Sequence, residues 1–200
     1  MFHTEKLIYI PTQRLWVSPD QCIWATASKI GGQFGISATY ARFERLLRGI
    51  LNIQIPTITT YINELRILVS SQPNDTAAIK ASIHSMSQLG PSTEDLHGIR
   101  ELRFLPIEKP DGSKILAKLS DAFFIADRIE YKAAFHGKVS MLDFSLEEIC
   151  RLHRLFERLS LGNHYMSAAV QERTIVRFPA PELSSSLTHT FQEKARHLYR

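Results

Sequence analysis

Apolar residues along this chain follow the spacing of strands in some segments and of helices in others. Residues 7–10 and 15–17 are short β-like runs on either side of a turn, which predicts an N-terminal hairpin. Further on, apolar positions recur every three or four residues and so fall on one side of a helix. The clearest helical face comprises Ile58, Tyr61, Ile62, Leu65 and Val69, and weaker ones comprise Phe43, Leu46, Leu47 and Ile50, and Ile79, Ile83, Met86 and Leu89.

The second half of the chain shows the same two kinds of pattern. Residues 104–119 predict a hairpin around the Pro-Asp-Gly turn at 110–112, because proline presets the first turn dihedral and glycine accepts a left-handed one. Pro106 cannot donate a ladder hydrogen bond, which predicts an edge strand. Ser145 and Glu148 form a capping box. It starts a helix with the apolar face Leu146, Ile149, Cys150, Leu152, Phe156 and Leu159.

Two segments 108 positions apart share an apolar skeleton. Without a gap, five positions of the first segment match five of the second: Leu51, Ile53, Ile58, Ile62 and Glu64 against Leu159, Leu161, Met166, Val170 and Glu172. A repeat of this kind is typical of a scaffold rather than of one active site. The sequence therefore predicts an α+β fold of two related strand-hairpin plus helix units, joined by a helical segment and followed by a C-terminal tail helix.

These patterns divide the chain into four segments. Residues 1–70 are predicted to form the first α+β unit, and residues 71–102 a helical connector. Residues 103–178 are predicted to form the second α+β unit. Residues 179–200 are expected to be a linker and an amphipathic tail helix that carries Leu187, Phe191, Ala195 and Leu198.

Composition and charge narrow the class of protein. Hydrophobic residues make up 44% and charged residues 22% of the 200 residues, which is typical of globular proteins. No apolar run is long enough to cross a bilayer, and the first residues lack the pattern of a signal peptide. Cys22 and Cys150 do not make a disulfide framework, so the expected compartment is cytoplasmic or nuclear. The net charge of +4 is mild and favours neither nucleic acid nor membrane as a partner.

No catalytic, cofactor-binding or metal-binding constellation is recognisable, and we expect none. Cys150 and His153 lie one helical turn apart, but nothing completes a set of metal ligands, and the pattern favours a core cysteine beside a surface histidine. Gly31-Gly32-x-x-Gly35 lacks the Lys-Ser/Thr of a phosphate-binding loop, which predicts a flexible turn. Four aromatic residues in apolar surroundings are expected in the core: Trp16, Trp24, Phe123 and Phe124.

Several longer motifs resemble one known family. They are Tyr9-Ile-Pro, Trp16-Val-Ser-Pro-Asp-Gln-Cys-Ile-Trp24, Phe104-Leu-Pro-Ile, Phe123-Phe-Ile-Ala-Asp127-Arg-Ile-Glu-Tyr131 and Ala134-Phe-His-Gly-Lys138 through Glu148. In this order they are similar to large fungal proteins related to sacsin and to the plant NO VEIN family. The resemblance covers residues 6–176 and implies the part of those proteins that follows their ATP-binding domain. The chain has no acidic-Asn magnesium motif and no Asp-x-Gly-x-Gly motif, so ATP binding is not implied.

The leading expectation is therefore a non-catalytic intracellular module that binds other proteins or supports a chaperone-like assembly, as part of a larger sacsin-like protein or as its partner. An alternative is a small enzyme or accessory factor of a metabolic pathway. Its acid and base would come from the acidic cluster Asp121, Asp127, Glu130 and Asp143, although pairing with nearby cations also accounts for these residues. A third hypothesis is weak nucleic-acid binding through the arginine-rich segments 42–48 and 151–158.

Overall fold

Short strands and helices alternate along residues 5–172, which the computed structural model describes together with His189. The predicted α+β class is confirmed. The described residues up to Ala169 form one unit, and a second unit begins at Val170. The predicted tail helix with Leu187, Phe191, Ala195 and Leu198 lies outside the described residues.

Residues 5–57, here called the N-terminal lobe, contain two small sheets. Strands β1 (Ile8–Ile10) and β2 (Leu15–Val17) form the predicted antiparallel hairpin, in which Tyr9 lies opposite Trp16. The other elements of the lobe are strands β3 (Cys22–Ile23), β4 (Lys29–Ile30) and β5 (Gln33–Gly35), ordered β3-β5-β4, and helices α1 (Ser37–Tyr40) and α2 (Glu44–Gly49). They enclose a small core of Ile8, Ile10, Val17, Cys22, Ile36, Leu47 and Ile53.

Residues 58–169, here called the larger lobe, have a separate and larger core. Its helices are α3 (Ile58–Ser71), α4 (Thr76–Gln88), α5 (Ile129–Phe135), α6 (Leu146–Arg158) and α7 (Met166–Ala169), and its strands are β6 (Leu105–Glu108), β7 (Lys114–Ala117) and β8 (Met141–Leu142). The predicted apolar face of α3 packs into this core through Ile62 and Leu65, joined by Leu68. The two clusters of buried residues therefore divide the chain between Ile53 and Ile62.

Side-chain caps fix where the long helices begin. The Ser145 backbone N–H donates to Glu148 Oε2 at 2.7 Å, and the Glu148 N–H donates back to Ser145 Oγ at 3.2 Å, which confirms the predicted capping box of α6. The Thr57 hydroxyl accepts from the Thr60 N–H, and the Asp75 carboxylate accepts from the Ala78 N–H. Each helix thus begins at a polar residue that satisfies an otherwise free backbone donor.

The prediction that Pro106 marks an edge strand is wrong. The sheet order is β7-β6-β8, so Pro106 lies in the central strand. The ladder between β6 and β8 covers only Ile107 and Glu108, and the Pro106 carbonyl accepts from the Asp143 N–H at 2.8 Å. A proline is tolerated here because β8 is too short to need the missing N–H.

The structure reproduces part of the 108-residue repeat as local geometry. Asn52 and Ser160 are equivalent in the repeat, and both have left-handed backbone, with φ of 52° and 61°. Each follows the end of a helix and precedes a buried residue, Ile53 or Leu161. The next helices, α3 and α7, start at equivalent positions but differ in length, with 14 and 4 residues.

The two lobes are tied together where the β4–β5 turn meets the start of α3. The Gly31 N–H donates to the Glu64 carboxylate, and a Cβ atom on Gly31 would lie 3.1 Å from the Thr60 carbonyl oxygen. Within the N-terminal lobe itself, the Trp24 N–H donates to the Gln54 carbonyl at 2.8 Å, which fixes the segment just before α3 to the rest of that lobe. The turn is therefore held by a carboxylate of the larger lobe.

Candidate functional site

Large apolar side chains are exposed mainly in the N-terminal lobe. Within the described residues ten such side chains are exposed, and six lie in the 53 residues of this lobe: Leu7, Trp16, Phe43, Leu46, Ile50 and Ile55. Isolated exposed apolar residues are normal on a protein surface, whereas a contiguous group marks a contact surface. Four of the six line one groove.

The groove runs between the β1–β2 hairpin and the helical segment from α1 to α2. Its volume is about 330 Å³, and its lining residues are Leu7, Ile8, Tyr9, Trp16, Tyr40, Phe43, Leu46, Leu47 and Leu51. The rings of Tyr9 and Trp16 lie 5.3 Å apart, and those of Tyr40 and Phe43 lie 6.5 Å apart. The Tyr40 hydroxyl donates to the Tyr9 carbonyl at 2.6 Å and joins the two walls.

The helical spacing of Phe43, Leu46, Leu47 and Ile50 predicts a packed face, but the structure buries only Leu47. The reason is that the helix is interrupted, because Ala41–Phe43 is a 3-10 turn and α2 has only six residues. Phe43 and Leu46, at 54% and 46% exposure, therefore remain in the groove wall.

The expectation of four core aromatics is confirmed for Phe123 and wrong for Trp16. Phe123 is buried in the core of the larger lobe. Trp24 is half-buried against the core of the N-terminal lobe, and Phe124 is also half-buried. Trp16 is 56% exposed because β2 belongs to a two-stranded sheet whose outer face carries Tyr9 and Trp16.

A second concave site, here called the cleft, lies in the larger lobe between α6 and α7. It has a volume of about 520 Å³ and is lined by Asp127, Ile149, Cys150, His153, Glu157, Gly162, Tyr165, Ser167 and Ala168. His153 Nδ1 lies 3.1 Å from the Tyr165 hydroxyl, and His153 Nε2 lies 3.3 Å from Glu157 Oε1. The three side chains form one polar chain across the cleft.

Tyr165 is half-buried, whereas His153 and Glu157 are exposed. Burial, followed by the negative charges of Asp127 and Glu157, raises the pKa of Tyr165 to about 12. The phenol is protonated at neutral pH, as tyrosine ordinarily is, and its O–H can donate to His153 Nδ1 when that nitrogen carries no proton. The imidazole ring of His153 thus connects the Tyr165 hydroxyl with the Glu157 carboxylate.

Cys150 lines the cleft and is exposed. The prediction that it is a core cysteine is therefore wrong. The neighbouring Leu152 is buried in the core instead, and Ile149 is buried where the core meets the cleft. His153 is exposed, as predicted. Cys22 is the buried cysteine, and burial, assisted by the charge of Asp20, raises its pKa to about 11. Among the described residues, no group of three or more His, Cys, Asp or Glu side chains can hold a metal ion.

The aspartates of the predicted acidic cluster have three separate sets of partners. Asp121 accepts from Arg103 at 3.2 Å and from the Lys118 N–H at 3.0 Å. Asp143 lies between Lys114 and Lys80, with distances of 3.0 and 3.4 Å to their Nζ atoms. Asp127 accepts from the Ser167 N–H at 3.2 Å and lines the cleft. Glu130 lies exposed in the first turn of α5.

Comparisons with known proteins show that part of the chain matches one protein family. No curated protein and no solved structure matches it. The family model described as "Domain of unknown function (DUF8348)" matches residues 59–170. No helix in the described part of the chain is long and apolar enough to cross a membrane. The match runs from the first turn of α3 to just past α7, so it contains the cleft and leaves out the groove. More than half of the chain is matched, and the protein therefore belongs to the DUF8348 family.

Proposed function

We propose that the chain is a non-catalytic protein-interaction module that binds a partner in the groove of its N-terminal lobe. The observation that carries this proposal is the group of four large apolar side chains that stay exposed around one concave surface. The resemblance to sacsin-related proteins supports the same function, since it concerns the part of those proteins outside their ATPase.

The residue types in the groove suit protein binding. Tryptophan and tyrosine are enriched among the residues that dominate binding energy, because they bury a large area and lose little side-chain entropy. Complete burial of a side chain of the size of Phe contributes about 1.5–3 kcal/mol, and because Trp16 and Phe43 are 56% and 54% exposed, covering either one contributes roughly half of that. A partner that covers both rings gains enough to offset part of the entropy lost on association.

The groove side chains can be changed without emptying the core. Phe43 and Leu46 lie outside the cluster of buried residues, whereas Leu47 belongs to it. Serine at position 16 or 43 therefore removes contact area and leaves the fold in place. Ile129 offers a matched control, because it is 61% exposed but lies on α5 of the larger lobe.

The test compares the wild type with Trp16→Ser, Phe43→Ser and Ile129→Ser. Proteins cross-linked to each in cells are identified by mass spectrometry, and the leading candidate is then purified and titrated calorimetrically. We expect a partner that binds the wild type and Ile129→Ser alike and loses roughly tenfold or more in affinity for either groove variant. Equal affinity for all four chains would refute the proposal.

The cleft favours a second candidate function, an enzyme or accessory factor that uses acid–base chemistry. The supporting observation is the Glu157–His153–Tyr165 chain, with Asp127 and Cys150 in the same cleft. A base held by an orienting carboxylate is the arrangement that general acid–base catalysis uses.

This second function is tested by thermal unfolding in the presence of a panel of small polar metabolites. A cleft ligand is expected to raise the Tm of the wild type and of Phe43→Ser, but not that of His153→Gln. If no compound distinguishes His153→Gln from the wild type, the cleft is a surface feature and this function is rejected.

A further inference from the structure

The charge of the N-terminal lobe differs in sign from that of the larger lobe. Residues 5–57 contain six basic and three acidic residues, a net charge of +3, whereas residues 58–169 contain thirteen basic and fourteen acidic residues, a net charge of −1. The lobe that carries the groove is therefore the electropositive one, and its potential attracts anionic partners.

Three of these cations lie next to groove residues in sequence and are exposed. Lys6 precedes Leu7, Arg42 precedes Phe43, and Arg45 precedes Leu46. Each adjoining apolar residue lines the groove. Consecutive residues point about 100° apart in an α-helix and about 120° apart in a 3-10 turn, so Arg45 on α2 and Arg42 in the 3-10 turn both lie beside the apolar wall rather than in it.

These three cations have no ion pair within residues 5–172. The larger lobe differs, since five of its cations are paired with carboxylates: Lys80, Arg103, Lys114, Lys118 and Arg151. In the N-terminal lobe Arg48 is paired with Glu44, on the side of α2 away from Leu46. Two acidic residues, Glu5 and Glu44, lie next to Lys6 and Arg45 in sequence, and Glu44 is the residue paired with Arg48, so the cations beside the groove outnumber the carboxylates.

The groove wall favours a partner recognised by side chains over an added β-strand. Strand addition needs free backbone groups along an edge. The carbonyl of Tyr9, at the centre of the three-residue strand β1, already accepts from the Tyr40 hydroxyl. An amphipathic helix needs no such groups, because its own backbone is satisfied and its apolar stripe enters the groove.

We infer that the groove binds an acidic amphipathic helix of a partner protein, with apolar residues on the aromatic wall and carboxylates facing Lys6, Arg42 and Arg45. This inference rests on the proposed protein-binding function and adds the chemistry of the partner. Charges at the rim contribute mainly to the association rate and to selectivity, while the apolar contacts supply most of the affinity.

The test uses the full chain and three fluorescein-labelled peptides of about 18 residues, long enough to form a helix. One carries Leu and Phe at helical spacing with Glu at the flanking positions. The second has Lys in place of every Glu, and the third has the composition of the first in an order without an apolar stripe. Fluorescence anisotropy gives each Kd at low and at physiological salt.

We expect the acidic amphipathic peptide to bind at least about tenfold more tightly than the other two, with the difference from the basic peptide shrinking as salt rises. The double variant R42A/R45A is expected to weaken it several-fold, mainly through the association rate. Arg154→Ala is the control, because Arg154 is an exposed cation of the larger lobe without an ion pair in the described residues. Phe43→Ser is expected to abolish binding.

The outcomes separate this inference from the proposed function. If the basic or scrambled peptide binds as tightly as the acidic one, or if Arg154→Ala weakens binding as much as R42A/R45A, the acidic-helix inference is overturned. If no peptide binds while the cross-linked partner still depends on Phe43, the inference fails and the protein-binding function stands. If binding is insensitive to Phe43→Ser in both experiments, both fail.

Discussion

At the scale of single residues, neighbouring positions of the segment that runs from the 3-10 turn Ala41–Phe43 into α2 have opposite roles. Leu47 is buried in the core of the N-terminal lobe. Phe43, four residues before Leu47, and Leu46, immediately before Leu47, remain in the groove wall. Hydrophobicity alone cannot separate these roles, because all three residues are large and apolar. The difference comes from the direction in which each side chain leaves a short, interrupted helix.

This contrast predicts different effects of alanine at the two kinds of position. Leu47→Ala should lower the free energy of unfolding by about 2–5 kcal/mol, because it leaves a cavity in a core that has few other residues to refill it. Phe43→Ala should change it by less than about 0.5 kcal/mol. Urea unfolding followed by circular dichroism measures both. Similar losses for the two variants would mean that the groove wall is part of the core.

At the scale of elements, the sequence predicts a segment well where local signals and burial agree. The hairpin around Gly112, which has φ of 79°, and the start of α6 at Ser145 both follow from turn and cap chemistry. The groove was not predicted, because Trp16 and Phe43 sit in apolar patterns that also describe core residues. Only the relative position of β2 and α2 leaves them exposed. The sequence does not predict the cleft either. His153 and Tyr165 belong to no recognisable motif, and only the fold brings them together.

Asp143 shows how one side chain joins several elements. It follows β8 and accepts from Lys114 on β7 at 3.0 Å, and Lys80 of α4 lies 3.4 Å away. Burial favours its neutral form, but the hydrogen bond from Lys114 and the two positive charges outweigh burial and lower the pKa of Asp143. The carboxylate therefore stabilises the folded state in its charged form.

The lowered pKa sets the pH range in which Asp143 matters. The folded value lies below the unfolded one, so the stabilisation is complete above about pH 4 and is lost as pH falls through the folded pKa. Asp143→Asn should lower the free energy of unfolding at pH 7 and converge with the wild type in strong acid. Urea unfolding at several pH values tests this, with Glu147→Gln, an exposed ion-pair partner, as a near-neutral control. A constant difference at all pH values would contradict the assignment.

At the scale of the whole unit up to Ala169, two cores are linked by few polar contacts. The bond from the Gly31 N–H to Glu64 anchors the β4–β5 turn on α3. Gly31 has φ of 58°, a left-handed conformation that favours glycine, and it lies too close to the Thr60 carbonyl to accommodate a Cβ atom easily. The contact involves a backbone donor that would otherwise depend on solvent.

Removing the Glu64 carboxylate should increase local opening of the β4–β5 turn without unfolding either core. Glu64→Ala is expected to speed amide hydrogen exchange in residues 29–35 by roughly tenfold, while the core amides of α4 and α6 keep their protection. Glu94→Ala, at an exposed position of the larger lobe, is the control. Unchanged exchange at Gly31 in Glu64→Ala would show that the bond does not hold the turn.

The boundary of the family match has a consequence for how this chain can change over evolution. Every residue of the groove lies at or before Leu51, and the matched domain begins at residue 59. A change confined to residues before 58 would therefore alter the groove and leave every side chain that lines the cleft as it is. The groove that we propose as the partner-binding surface therefore lies outside the part of the chain that defines the family, and the family match alone does not predict which partner the chain binds.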